Sequence, residues 1–161
     1  RPPISWDLVP QAAGDLGGRL GRYFTRSFAR GAERVVVLGS DSPTLPRRTV
    51  EQAFECLKHH PVVLGPTCDG GYYLVGARRC APPRVPPIFE GIAWSTPAVW
   101  RQTVEALRDH GVSFAELAPW YDVDELADLR RLHEELHGSP SIGHLHRLRV
   151  EVQRVLARTE A

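Results

Sequence analysis

The 161-residue chain contains no methionine, one lysine and three cysteines. Lys58 follows no GxxxxG run, which excludes a Walker-type phosphate loop. Cys56, Cys68 and Cys80 are odd in number and form no CxxC pair. Neither a disulfide framework nor a structural zinc site is therefore expected, and a reducing, cytoplasmic setting fits best. There is no apolar run near the ~18 residues that span a bilayer and no signal-peptide pattern. Charge of one sign is not in excess either. Twenty basic against 19 acidic residues leave a net charge of +1, which argues against a phosphate-coating nucleic-acid binder or a polybasic membrane clamp. The chain opens Arg1-Pro2-Pro3, a start that predicts a piece of a longer polypeptide.

What is present suffices for a core: 42% of residues are hydrophobic, and a chain of this length buries roughly 70% of the surface its unfolded form exposes. Short apolar runs alternate with amphipathic stretches, the pattern of an α/β sheet. Asp15 to Arg30 carries Leu16, Leu20, Tyr23, Phe24 and Phe28 at helical spacing, with Gly31 as a stop. Val35-Val36-Val37-Leu38 reads as a strand buried on both faces. Pro46 suits the first turn of a helix with Val50, Ala53, Phe54 and Leu57 on one side. Val62-Val63-Leu64 and Tyr72-Tyr73-Leu74-Val75 read as further strands, Pro82 to Pro87 as a surface loop, and Val112 to Leu117 as another strand. Thr96 and Pro97 predict the start of a helix that stops at Gly111. Helices are expected from about Glu125 to His137 and from about Ile142 to Arg158, the second with Leu145, Leu148, Val152, Val155 and Leu156 on its apolar side. Residues 1–138 would form the main domain and 139–161 a helical extension.

In an open parallel sheet, ligands bind beyond the carboxyl ends of the strands. Asp41 directly follows the first such strand, among Gly39, Ser40 and Ser42, whose small size lets a metal or phosphate approach the backbone. It would otherwise cap the next turn. Asp122 and Asp124 sit on the same side of an extended segment, either as further carboxylates for Mg²⁺ or as caps for the following helix. Asp69-Gly70-Gly71 can turn backbone N–H groups toward an anion or sugar, or simply make a tight turn. His133 and His137, four apart on a helix, could chelate a metal, but among Glu134 and Glu135 they read better as a solvated face.

Five motifs in order resemble one family. They are Gln11 with Gly14-Asp15-Leu16-Gly17; Gly39-Ser40-Asp41-Ser42-Pro43-Thr44-Leu45-Pro46; Gly65-Pro66 with Asp69-Gly70-Gly71-Tyr72-Tyr73-Leu74; Phe89-Glu90-Gly91-Ile92 with Trp94-Ser95-Thr96; and Asp122-Val123-Asp124 with Asp128-Leu129. The family is DUF2064, the radical-SAM/selenodomain-associated candidate glycosyltransferases, which are similar to molybdenum-cofactor and 2-phospholactate nucleotidyltransferases. The resemblance implies a GT-A-like, three-layer α/β fold with a mostly parallel sheet, lacking here its first strand–helix unit ahead of Gln11. It implies a glycosyltransferase that uses a nucleotide-activated sugar donor and an acceptor of unspecified kind, with Mg²⁺ or Mn²⁺ held by Asp41, Asp124 and Asp122. Asp41 and Asp69 would be catalytic, Asp69 as base on an acceptor hydroxyl. Ser40, Ser42, Gly70, Gly71, Trp94, Ser95 and Thr96 would border the substrates. The alternatives are a nucleotidyltransferase and a non-catalytic remnant that binds a partner. A missing strand would also expose apolar surface, to be covered in a homodimer or to lower solubility.

Overall fold

The computed structural model describes residues 9–11, 13–80, 88–138 and 143–159. The expected Pro82–Pro87 loop and the start of the last helix at Ile142 lie outside the described residues. Along the chain the elements are α1 (Leu16–Ala29), β1 (Arg34–Leu38), α2 (Arg47–Cys56), β2 (Val62–Pro66), β3 (Tyr72–Arg78), α3 (Val99–Asp109), β4 (Phe114–Glu116), α4 (Leu126–Gly138) and α5 (Gly143–Thr159). No described helix is long and apolar enough to cross a membrane.

The β-branched runs become a four-stranded sheet in the order β1-β3-β2-β4. β3 pairs antiparallel with both β1 and β2, whereas β2 and β4 pair parallel. Three strands thus share one direction and β3 alone runs against them. A tight loop after β2, too short for a crossover helix, imposes that reversal. The ladder is irregular between Gly65 and Pro66, where Leu74 faces Gly65 but Tyr72 faces Pro66. Tyr73 is the extra residue, and its hydroxyl donates to the Ala118 carbonyl at 2.9 Å.

Because strand side chains alternate between faces, both sides of the sheet must be covered. Val35, Val62, Leu64, Val75 and Ala77 pack under Leu20, Phe24 and Phe28 of α1 and Val104 and Leu107 of α3. Val63, Leu74 and Leu117 pack on the other face with Ala53 and Leu57 of α2. These are the three layers of a GT-A-like domain. A separate cluster joins Leu132 and Leu136 of α4 to Val152 and Leu156 of α5.

The apolar stripes are narrower than periodicity alone suggested. Leu16, Tyr23, Phe54 and Val155, expected on buried faces, are 40%, 52%, 38% and 47% exposed, because each helix is covered along only one row of side chains. α3 also begins later than Thr96-Pro97 predicted, with Ala98 as its N-cap. The Thr96 hydroxyl accepts from the Ala98 amide and its carbonyl from the Val99 amide, both at 3.3 Å, so Thr96 organises a turn ahead of the helix.

The sheet end opposite the strand carboxyl termini is basic. Arg34 and Arg78 stand directly opposite each other across β1 and β3, a like-charge pairing that normally costs stability. Each guanidinium is taken up by the end of α2: Arg34 donates to the Phe54 carbonyl at 3.0 Å and Arg78 to the Lys58 carbonyl at 3.1 Å. Carbonyls at a helix C-terminus carry partial negative charge and favour such partners. Lys58, which pairs with Glu55 at 2.6 Å, and Arg79 adjoin them around a recess of about 360 Å³ that Glu33 also lines.

α2 can lie this close to the sheet because position 76 has no side chain. A Cβ there would fall 2.7 Å from Val63 Cγ1 and 3.2 Å from both Leu57 Cδ1 and Val36 Cγ2. Gly76→Ala is therefore expected to lower the unfolding free energy by about 1–3 kcal/mol through overpacking. The readout is a lower urea midpoint at unchanged m-value, and an unchanged midpoint would mean that α2 does not bear on Gly76.

Candidate functional site

β1, β2 and β4 all end at one edge, and the reversed β3 starts there. The loops at this edge carry four aspartates: Asp41 after β1, Asp69 between β2 and β3, and Asp122 and Asp124 after β4. They line a cleft of about 740 Å³ whose other wall is apolar and aromatic, built from Leu16, Leu20, Val37, Tyr72, Val75, Trp94 and Val99. Among the described residues lining it there is no lysine, arginine or histidine.

Oxygens of Asp69, Asp122 and Asp124 lie within 4.8 Å of one another. Each acid is set by its local chain. Asp69 sits in a turn where its Oδ1 accepts from the Gly71 amide at 3.0 Å and from the Thr67 hydroxyl in a short contact. The turn needs Gly70, whose φ is +93° and whose Cβ would fall 2.3 Å from the Pro97 carbonyl oxygen. The Thr67 hydroxyl and, after it, the Gly71 amide hold the Asp69 carboxyl below the usual range, so it stays ionised. Asp122 is pushed the other way, first by burial and then by the negative charges of Asp69, Asp124 and Asp41. Neither Asp122 nor Asp124 caps α4. Asp128 does so from inside the first turn, its Oδ2 accepting from the Glu125 amide at 3.0 Å and the Asp124 amide at 3.3 Å.

Asp41 shares the cleft but stands outside this group of three. Its carboxylate lies back over Gly39, where an added Cβ would fall 2.5 Å from Asp41 Oδ1. Its backbone carbonyl meanwhile accepts from the Val123 amide at 2.9 Å, tying the β1 loop to the Asp122–Asp124 segment.

The residues expected around the substrates divide into two sets. Ser40, Gly71, Trp94, Ser95 and Thr96 line the cleft. Ser42 does not: its hydroxyl donates to the Tyr121 carbonyl at 3.0 Å, a bond between loops. Gly70 lies beneath the turn, against Pro97. The Gly71 amide is committed to Asp69 rather than turned toward an anion. Ser95 is the one described non-glycine residue with positive φ, +61°, a conformation that costs energy and recurs where a side chain must be presented to a ligand.

On the opposite wall the sequence pointed to Trp94 but not to its partner Tyr72. Tyr72 and Trp94 meet edge to face, 6.2 Å between ring centres and 87° between planes. Trp94 can reach in because Gly17 of α1 gives it room: a Cβ at Gly17 would fall 2.3 Å from the Phe89 carbonyl oxygen and 2.4 Å from Trp94 Nε1. Gly17 and Trp94 fall in separate motifs of the chain, and this contact is the physical link between them. His133 and His137 meet edge to face on α4, 4.2 Å between ring centres, and are not among the residues lining the cleft.

Fold and cleft together define a GT-A-like domain with an acidic edge site. The chain belongs to the DUF2064 family, described as uncharacterized proteins conserved in bacteria, which it matches over residues 2–96. That span includes Asp41 and Asp69 and stops before Asp122. The chain is similar to a crystal structure of a candidate nucleotide-diphospho-sugar transferase from Desulfovibrio desulfuricans G20, with 34% identity and a TM-score of 0.80 over 92% of this chain. It spans 64% of that relative's length. No functionally curated protein matches the chain.

Gly17→Ala should displace Trp94 from the cleft wall. The expected result is a shifted tryptophan emission together with a stability loss of about 1–3 kcal/mol. Wild-type emission at wild-type stability would mean that the indole is not seated against α1.

Proposed function

We propose that the chain is the transferase domain of a metal-dependent glycosyltransferase that takes a nucleotide-activated sugar donor. The observation that carries this is the convergence of Asp69, Asp122 and Asp124 within 4.8 Å. Family membership and likeness to the Desulfovibrio protein support the substrate class.

The residues fit a divalent cation. Carboxylate oxygens from two loops are the hard donors that Mg²⁺ or Mn²⁺ takes, leaving positions for water and substrate phosphate. The upward push on Asp122 comes first from burial and then from the negative charge of Asp69, Asp124 and Asp41, and a bound cation would offset the second. When bound, the cation supplies charge for a diphosphate and for the nucleotide as it departs. At an effective dielectric of about 20, two unit charges about 4 Å apart interact by about 4 kcal/mol, so each such contact matters to the rate.

The protein's own groups do the rest. Asp69, kept ionised by Thr67 and Gly71, is better suited to holding a cation than to taking a proton. Asp41, beside the three acids and outside their group, is the carboxylate left to receive the proton of an acceptor hydroxyl. Tyr72 and Trp94 offer an apolar wall for the base or sugar, and Ser40, Ser95 and Thr96 line the same cleft with hydroxyls for the sugar. The likeness to a nucleotide-diphospho-sugar transferase supports the diphosphate-sugar donor over nucleotidyl transfer from a triphosphate.

Calorimetry with nucleoside diphosphates tests this. UDP or GDP is expected to bind with Mn²⁺ or Mg²⁺ present, to lose nearly all affinity when the metal is chelated, and to fail with Asp124→Ala. Binding that is indifferent to metal overturns the proposal, and pyrophosphate release from a nucleoside triphosphate would replace it with nucleotidyl transfer. No nucleotide binding under any condition would leave a non-catalytic binding domain.

A further inference from the structure

The acids come from loops with little secondary structure of their own, yet two of those loops are fastened together at one point. Thr44 follows Asp41 on the β1 loop, and Tyr121 directly precedes Asp122 on the β4 loop. Both hydroxyls donate to the same oxygen, Oε2 of Glu135 on α4: Thr44 at 3.1 Å, Tyr121 in a short contact. The two hydroxyls are also 3.2 Å from each other. Around this point Ser42 donates to the Tyr121 carbonyl and the Val123 amide to the Asp41 carbonyl. The Tyr121 ring is 5% exposed, stacks on Trp120 at 5.9 Å, and carries the Arg131 guanidinium 3.9 Å from its centre.

We infer that Glu135 is a positioning residue for the acidic site: through Tyr121 and Thr44 it fixes the Asp122–Asp124 segment against the Asp41 loop. This rests on the reading of Asp69, Asp122 and Asp124 as a cation site. A side chain accepting from both loops sets their separation as neither loop could alone. Glu135 owes its own place to Leu132 and Leu136, which pack α4 on Val152 and Leu156 of α5. The C-terminal helix pair thereby acts on the site through Glu135 as well as through the Asp128 bond to the Asp124 amide.

Manganese alone is the probe, with its free ion followed by electron paramagnetic resonance on the whole chain and each variant's melting temperature recorded. Wild type is expected to bind Mn²⁺ and Asp124→Ala to lose it. Glu135→Ala and Tyr121→Phe should each weaken binding by about tenfold or more, as removal of an outer-shell partner commonly does. Glu135→Gln, which keeps an acceptor oxygen, should retain most of the affinity, and Glu134→Ala, one residue away and exposed, all of it. That order of affinities separates positioning from general stability, which the melting temperatures report. Tyr121→Phe keeps the ring and its packing, so it decides the matter if Glu135→Ala does not fold. Wild-type affinity in both Glu135→Ala and Tyr121→Phe, with Asp124→Ala still deficient, overturns the positioning role and leaves the metal site standing. Absence of Mn²⁺ binding in wild type overturns both.

Discussion

Mutual repulsion among carboxylates is the constraint around which this structure is arranged. Asp69, Asp122 and Asp124 bring oxygens within 4.8 Å of one another, Asp41 stands beside them, and no described cation lines the same cleft. Two like charges about 5 Å apart at an effective dielectric of about 20 repel by about 3 kcal/mol. Segments carrying such charges would spread apart unless bonded elsewhere. The cost falls visibly on Asp122, whose carboxyl is raised by burial and by its three neighbours.

The restraint comes from groups that are not acids of the cluster. On one side a tight turn does the work, since Asp69 is bound to Thr67 and Gly71 within its own loop and Gly70 is pressed on Pro97. On the other side the restraint is long-range, because the loops after β1 and β4 are held by backbone and hydroxyl bonds that end on α4. Asp128 adds a third element by capping α4 itself, a task that sequence position would have given to Asp122 or Asp124. Each device leaves a carboxylate facing the cleft.

How much of this could be read from the residues follows from the range of the interactions involved. The strands were plain in Val35–Leu38, Val62–Leu64 and Tyr72–Val75 as continuous apolar runs, but the burial on both faces expected of Val35–Leu38 holds for β2 instead: β1 lies at the sheet edge, with Val36 and Val37 half-buried and Leu38 exposed. The common edge for Asp41, Asp69 and Asp122–Asp124 followed from strand direction. The reversal of β3 is a property of a tight five-residue loop, and composition does not distinguish it from a parallel return. The grouping of Asp69 with Asp122 and Asp124, rather than Asp41 with Asp124, depends on side-chain rotation about a turn. Glu135 lies 91 residues from Thr44 and sits in a charged run beside Glu134, where periodicity assigns every carboxylate to solvent. The exposure of Phe54 and Val155 has the same origin: spacing locates a helical face but not the width of the layer that meets it.

The basic residues at the far end of the sheet give the acidic cleft a counterpart. Arg34, Lys58, Arg78 and Arg79 gather at one end of the strands, partly offset by Glu33 and by the Glu55 partner of Lys58, and four aspartates at the other, so the charge of a polypeptide with a formal net charge of +1 is unevenly spread along the sheet axis. Small ions will encounter two opposed fields roughly a strand's length apart, and dissolved salt, which damps such fields within about 10 Å at 0.1 M, will alter their rates of arrival far more than the isoelectric point suggests.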